Sequence, residues 1–391
     1  MKKLLVLAIF LRLLVAAFYF HPDIKTFNFQ ASFLKKGVID VYPYLINNKQ
    51  NLPFKEEFVY FPLSYFALGG YQIAANPILG NGFNAWLNNA SSNAFVTDPS
   101  IFKYLIVLKF PYLLLDICIA FLVREFFKNK KKGNLAFTLW LFNPFTIFLI
   151  YAYSNVDIFP VALTLLSFLL IKKQKFFPAA LFLGFAAGFK LYPLLIIPFL
   201  FLYGKTLKEK LILSVTPLVV FLAICAPFFS TAFVNSALIS GLSTGVFKSE
   251  FVTLLISILF FYGLIFDKKM NIFNYWVALF LIIFSFALFH VQWLLWLAPF
   301  LVIMVIKKPY LGLLIFVMAV FSFSIPILYQ DRFMTLGLLR AYSIYFDLLP
   351  TPFVVVQKIY DPANLLAIFH SAFAGGSMVL IYKLLGREKQ T

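Results

Sequence analysis

The stretch Tyr104-Leu-Ile-Val-Leu-Lys-Phe-Pro-Tyr-Leu-Leu-Leu-Asp-Ile-Cys-Ile-Ala-Phe-Leu-Val123, closed by Arg124 and then by Lys128, Lys130, Lys131 and Lys132, decides the fold. A helix of about 20 mostly apolar residues crosses a bilayer core. The lysine run at its end marks a cytoplasmic boundary. The same grammar recurs along the chain. Lys2 and Lys3 precede the apolar run Leu4 to Phe20, which no small-residue cleavage site follows, so it reads as an anchored helix and not as a removed signal. Further basic clusters stand at Lys172–Lys175, Lys205–Lys210, Lys268–Lys269, Lys307–Lys308 and Lys383–Lys389. With every cluster on one side, an even number of crossings separates neighbours. Hairpins then fall at 135–171, 176–203, 211–266, 273–306 and 310–383. With the first two spans, the expectation is about 12 helices and both chain ends inside.

Composition agrees. Of 391 residues, 62% are hydrophobic and 12% charged, where a soluble chain has about 45–50% and about 25%. Mean hydropathy is +0.92. The expected fold is all-α, a polytopic transmembrane bundle forming one integral-membrane unit. Within it, residues 1–210 form a module that contains the loop 21–103, and residues 211–391 add further membrane helices. Two cysteines, Cys118 and Cys225, both inside apolar runs, exclude a disulfide scaffold. Three histidines and those thiols supply no zinc ligand set. The net charge of +18 is mostly topology signal and favours anionic lipid headgroups. No basic stretch interleaved with aromatics serves nucleic acid.

In this topology the long loops, 21–103, 230–250 and 329–362, all lie outside, and the cytoplasmic loops are short and basic. An enzyme or receptor working on the outer face has this layout. The first loop opens with His21-Pro22-Asp23. Phe27, Phe29, Ala31, Phe33 and Leu34 then recur beside Gln30, Lys35 and Lys36, the pattern of an interfacial amphipathic helix. Residues 58–79 are apolar but hold Pro62, Gly69, Gly70 and Pro77, and read as re-entrant or interfacial. Residues 81–100, rich in Asn and Ser, read as a solvated insert.

Polar groups collect at the outer ends of the spans. Asp23, at the membrane boundary, reads either as a general base for an acceptor hydroxyl or as a turn and cap residue after Pro22. Asn155 and Asp157 sit in the connection 154–157, Lys109 in the outer third of its span, Lys190 at the tip of 176–203, and His290 and Gln292 at the tip of 273–306. The two lysines either snorkel to water or bind a lipid phosphate. Arg12 and Asp116 lie mid-span, where an unpaired charge is expensive. At about 1.5 Å per residue both stand roughly 12–14 Å from the cytoplasmic boundary, so they are expected to form a structural ion pair.

These stretches resemble the glycosyltransferase C superfamily, and most closely the PIG-M family, the mannosyltransferases of glycosylphosphatidylinositol-anchor synthesis. Asp23 with Phe27 and Phe33 to Gly37 resembles the start of that family's first luminal loop. Tyr60-Phe-Pro-Leu63 resembles its Tyr-Thr-Pro-Leu. Trp140-Leu-Phe-Asn-Pro144 with Ser154-Asn-Val-Asp157 resembles its Trp-x-x-Asn-Pro and Gly-Asn-x-Asp block. Lys190-Leu-Tyr-Pro193 resembles its Lys-Ile-Tyr-Pro, and Gln292-Trp-Leu-Leu-Trp296 with Pro299 its Gln-Tyr-Phe-Leu-Trp and Leu-Pro. The family's first loop carries Asp-x-Asp, and here His21 holds the first position. The resemblance implies a polyprenyl-phosphate sugar donor, with mannose as the sugar, and a lipid-linked or glycan acceptor. It implies inverting transfer with Asp23 as catalytic base, and donor-phosphate contacts at Lys190 and Lys109. Sugar and acceptor contacts then fall to His21, Asn155, Asp157, Tyr192, His290 and Gln292. A divalent cation near His21 and Asp23 is an open option, and no other cofactor is implied.

The alternative is a polytopic transporter or lipid flippase. That class favours internal repeats and midplane polar groups, whereas this chain has no repeat and polar outer ends. A non-catalytic scaffold would not need Asp, Lys and His groups from five loops. The Phe, Lys and Asn bias points to an AT-rich prokaryotic genome and so to a plasma membrane with the site outside.

Overall fold

The computed structural model describes residues 2–90, 99–240, 249–267, 270–287 and 289–385. Residues 91–98 of the expected solvated insert, the Lys268–Lys269 cluster, and Arg387 and Lys389 of the last basic cluster lie outside the described residues. Every regular element among the described residues is helical. A bilayer dictates this, because no water inside it can satisfy an open backbone.

Among the described residues, four helices are long and apolar enough to cross a membrane: Ile101–Glu125, Leu207–Phe228, Pro309–Ile327 and Pro362–Leu385. Two bent pairs bring the number to six. Lys2–Phe18 turns by 84° into Pro22–Lys36, and Lys130–Leu141 by 46° into Pro144–Ala152. Helix length alone thus falls short of the expected 12 crossings. The reason is local: apolar hairpins are broken into helices of 10–17 residues. In residues 176–203, the helix Phe176–Ala187 ends at Gly188, and a 3-10 turn Tyr192–Ile196 precedes Ile197–Tyr203.

The core is one continuous apolar cluster. The helix Ile158–Lys172 packs on Phe176–Ala187, which packs on Leu207–Cys225. On the other side Pro362–Leu385 covers Ile272–Phe286 and Gly312–Ile327. Ile272–Phe286 is buried nearly all round, as a central helix must be. Leu207–Cys225 instead exposes Val215, Leu218, Val219 and Leu222. An unbroken apolar outer face of that kind is made for lipid.

The first loop differs from the expected interfacial arrangement. Pro22–Ala31 does carry polar side chains, but Lys25, Asn28 and Gln30 are buried. Gln72 of the helix Pro62–Leu79 donates to Asn28 at 2.8 Å, and Gln30 donates to the Glu56 carbonyl at 2.8 Å. Protein, not headgroups, covers this helix. Pro62–Leu79 is itself a continuous helix of 18 residues despite Gly69, Gly70 and Pro77. Gly69 permits the contact: a Cβ there would stand 2.7 Å from the Ala31 carbonyl oxygen.

Chain direction sorts the helix ends. Lys172 and Lys307 line one small pocket with Phe126, Tyr203 and Phe273, so several basic ends meet at one end of the bundle. The turns at His21–Asp23, 154–157, 188–190 and 290–292 close the opposite ends of the same helices.

Candidate active site

Each site residue is held by a local device. Pro22 opens its helix at the first position, and His21 is the N-cap: its Nδ1 accepts the Asp23 backbone N–H at 3.3 Å. The same Nδ1 lies 3.4 Å from Asp23 Oδ2. A third of the Asp23 side chain stays exposed. A first-turn acid also gains from the helix dipole. Burial works to raise the Asp23 pKa, but His21, the Gln292 hydrogen bond and His290 together hold it below the usual carboxylate value. It is a carboxylate at neutral pH.

The second turn follows a widened π-helical segment, Phe148–Ala152, an irregularity common at functional sites. Ser154 then takes a left-handed backbone with φ +54°, costly for a side chain other than Gly, Asn or Asp. Asn155 Oδ1 accepts the Asp157 N–H at 2.9 Å, an Asx turn. Its Nδ2 donates to the Gln292 carbonyl at 2.8 Å. The turn is thereby tied to the tip of a distant hairpin.

Lys190 meets Asp157 directly, with Nζ 2.9 and 3.1 Å from its two oxygens. Gly188 lets the turn that carries Lys190 pack closely on the start of the helix Pro62–Leu79. Its carbonyl accepts the Leu63 N–H at 3.0 Å, and a Cβ there would stand 2.7 Å from Leu63 Cδ1. The ammonium also lies 5.0, 5.3 and 5.1 Å from the ring centres of Tyr60, Trp293 and Trp296. Such a cage holds a cation in place without spending its remaining N–H.

Gln292 and Trp296 belong to the 3-10 turn Val291–Trp296. Gln292 Nε2 donates to Asp23 Oδ2 at 3.3 Å, and Trp296 Nε1 to Asp157 Oδ2 at 2.7 Å. Tyr192, Trp296, Trp293 and His290 form one stacked column, with successive centroids 3.9, 4.9 and 5.4 Å apart. Burial, then the Lys190 charge, pulls the His290 pKa down to about 4 against the partial opposition of Asp23 and Asp157. His290 is therefore neutral at pH 7. Burial, then Asp157 and Asp23, push the Tyr60 phenol well above its ordinary range, so it stays a donor beside both carboxylates.

Eight of the singled-out residues thus share one cluster: His21, Asp23, Asn155, Asp157, Lys190, Tyr192, His290 and Gln292. Three stand apart. Arg12 Nε lies 2.5 Å from Asp116 Oδ2, both fully buried. Trp140 and Tyr151 also donate to that carboxylate, at 2.6 and 3.0 Å. Lys109 is buried, and its ammonium donates to the carbonyls of Ala16 and Tyr19 at the end of the first helix.

Residues that sequence reasoning left out of the site are the three cage rings, Tyr60, Trp293 and Trp296, and Tyr112. Lys109, Tyr112 and Asp116 fall at helical spacing on one face of one helix, a polar stripe that marked Tyr112 in advance. Among the described residues no group of three His, Cys, Asp or Glu side chains is placed to hold a metal ion. His21 and Asp23 remain a pair.

An all-helical, apolar-surfaced bundle with a carboxylate, a caged lysine and buried unpaired polar atoms gathered in turns has the makings of a membrane-embedded group-transfer enzyme. Residues 99–322, more than half of the chain, match glycosyltransferase family 87, and the chain belongs to that family. It is a membrane glycosyltransferase. No curated protein and no solved structure matches the chain. The matched range holds Asn155, Asp157, Lys190, Tyr192, His290 and Gln292, while His21 and Asp23 precede it.

Proposed function

We propose that the protein transfers mannose from a polyprenyl-phosphate donor to a lipid-linked or glycan acceptor, on the extracytoplasmic face of a prokaryotic plasma membrane. The mannose assignment follows the PIG-M resemblance. Asp23 is the general base. It takes the proton of the acceptor hydroxyl, whose oxygen attacks the anomeric carbon. The bond from that carbon to the phosphate oxygen breaks on the opposite face, with inversion, and polyprenyl phosphate leaves. Lys190 meets the charge that develops on the leaving phosphate. Its cage and Asp157 hold it without exhausting its three donors. His21, Asn155, Tyr192, His290 and Gln292 line the sugar and acceptor positions. Lys109 acts through the first helix, whose last carbonyls it caps, instead of on the phosphate.

An apolar cavity of about 360 Å³, lined by Leu297, Phe145, Phe316, Phe373 and, from the turn Val291–Trp296, Leu294, supports a seat for the donor's tail. In this reading the broken apolar hairpins complete the crossings, to about 12 in all.

The observation that carries the reading is the pairing of an ionised, part-exposed Asp23 with the Gln292 amide, in one network with the Asp157–Lys190 pair. The test is transfer from radiolabelled polyprenyl-phosphate mannose, in membranes holding wild type or Asp23→Asn at equal expression. Transfer by the wild type and loss of roughly 10²–10⁴-fold in the variant is expected. Equal transfer by both would return Asp23 to a turn residue.

A further inference from the structure

Tyr112 stands on the helix Ile101–Glu125 and is fully buried. Its ring packs edge-on against Phe159, 6.1 Å away, in the first turn after Asp157. Its hydroxyl has no hydrogen-bond partner among the described residues. The carboxylates within electrostatic reach of it are Asp23 and Asp157. His21 Nε2, Ser154 Oγ and His290 Nδ1 are likewise buried without a partner, and His290 lies within reach of Asp23, Asp157, Lys190 and His21. A buried polar atom left unpaired is costly, and native proteins rarely keep one without a use. Tyr112 and His290 lie within electrostatic reach of both carboxylates, His21 touches Asp23 through its other ring nitrogen, and Ser154 belongs to the turn that carries Asp157.

The chemistry of the set selects its ligand. A phenol, an alcohol and imidazole nitrogens each match a hydroxyl. A phosphate would meet the repulsion of two carboxylates and has Lys190 instead. An apolar group would leave all four atoms unpaired. A sugar ring offers several hydroxyls at fixed angles.

We propose that Tyr112 is a specificity-determining residue: its Oη hydrogen-bonds one ring hydroxyl of the transferred sugar, which sits between Asp23 and Asp157 with His21 and His290 on its other hydroxyls. The transferred sugar is favoured over the acceptor because Tyr112 is enclosed, whereas a third of the Asp23 side chain is exposed to an incoming acceptor. The proposal rests on the transfer reading above. A site built around a substrate hydroxyl rejects the analogue lacking it far more strongly than an apolar pocket rejects a missing methylene.

The experiment compares purified wild type and Tyr112→Phe on the polyprenyl-phosphate hexose that the wild type uses, and on its mono-deoxy analogues. One deoxy donor should lose about 10- to 100-fold in kcat/KM with the wild type. Tyr112→Phe should lose a similar factor on the parent donor, and should then treat the parent and that deoxy donor alike. Without ligand, Tyr112→Phe should melt at or above the wild type, because it removes only an unpaired hydroxyl. Losses that multiply for every deoxy donor, or a lower melting temperature, would overturn the proposal while leaving the transfer reading intact. A wild type inactive with every polyprenyl-phosphate hexose would overturn both.

Discussion

The side-chain amide of Gln292 donates to the Asp23 carboxylate at 3.3 Å. Residues 269 positions apart in the chain thereby set the charge state of one group. The bond favours the ionised form, together with His21 and against the effect of burial. Gln292→Leu should therefore raise the Asp23 pKa. A base must be deprotonated to act, so the acidic limb of the pH–rate profile should move to higher pH, with Asp23 still ionised at neutral pH. An unmoved acidic limb would separate Gln292 from the base.

Arg12 and Asp116 form a fully enclosed pair that also takes donors from Trp140 and Tyr151. Removing one partner strands the other charge. Arg12→Met should cost about 3–5 kcal/mol in unfolding free energy. Arg12→Met with Asp116→Asn should recover part of that, because no net charge is left behind. Unfolding of the detergent-solubilised variants measures both.

Lys109 ends the first helix by binding the carbonyls of Ala16 and Tyr19. Lys109→Met should lower stability by about 1–3 kcal/mol. It should also lower kcat, since the helix end positions His21 and Asp23, while leaving the KM for donor near the wild-type value. A steep rise in donor KM with unchanged kcat and stability would instead place the phosphate on Lys109.

Lys190 is fitted to its cage of Tyr60, Trp293 and Trp296. Lys190→Met should reduce kcat by roughly 10²–10³-fold, the usual loss of a group that stabilises developing charge. Lys190→Arg should restore little, because the planar guanidinium does not fit the position of a compact ammonium. Transfer rates at saturating donor decide this. Full recovery by Arg would show that charge alone is needed.

His290 is neutral in the fold, its pKa drawn from the ordinary 6.5 to about 4 by burial and then by Lys190. The unfolded chain binds that proton first, so acid favours unfolding. Stability should be constant above about pH 6.5 and fall as pH drops from there to about 4. His290→Phe should flatten that part of the melting curve. An unchanged slope would show that other groups carry it.

Apolar run length, lysine placement and the gathering of polar residues at the outer ends of the spans were local signals. They were enough to identify a membrane-embedded, all-helical chain and to place Asp23, Asp157, Lys190 and Gln292 in turns at one end of it. They were not enough for the first loop. There Gln30 reads as part of a polar interfacial face, yet it and Asn28 are buried, because the Glu56 carbonyl and Gln72 of Pro62–Leu79 supply their partners.

The two lysines show where sequence stops. Lys109 and Lys190 read alike, as cations near the same boundary. Packing sends one to the carbonyls of a neighbouring helix end and the other into an aromatic cage beside Asp157. Hydropathy and periodicity record which way each segment faces along its own axis. Which ends meet depends on helix crossings set by side chains hundreds of positions apart. The membrane setting, the helical fold and the polar turns were legible in the sequence, and the partnership of Asp23 with Gln292 was decided only when the hairpins packed.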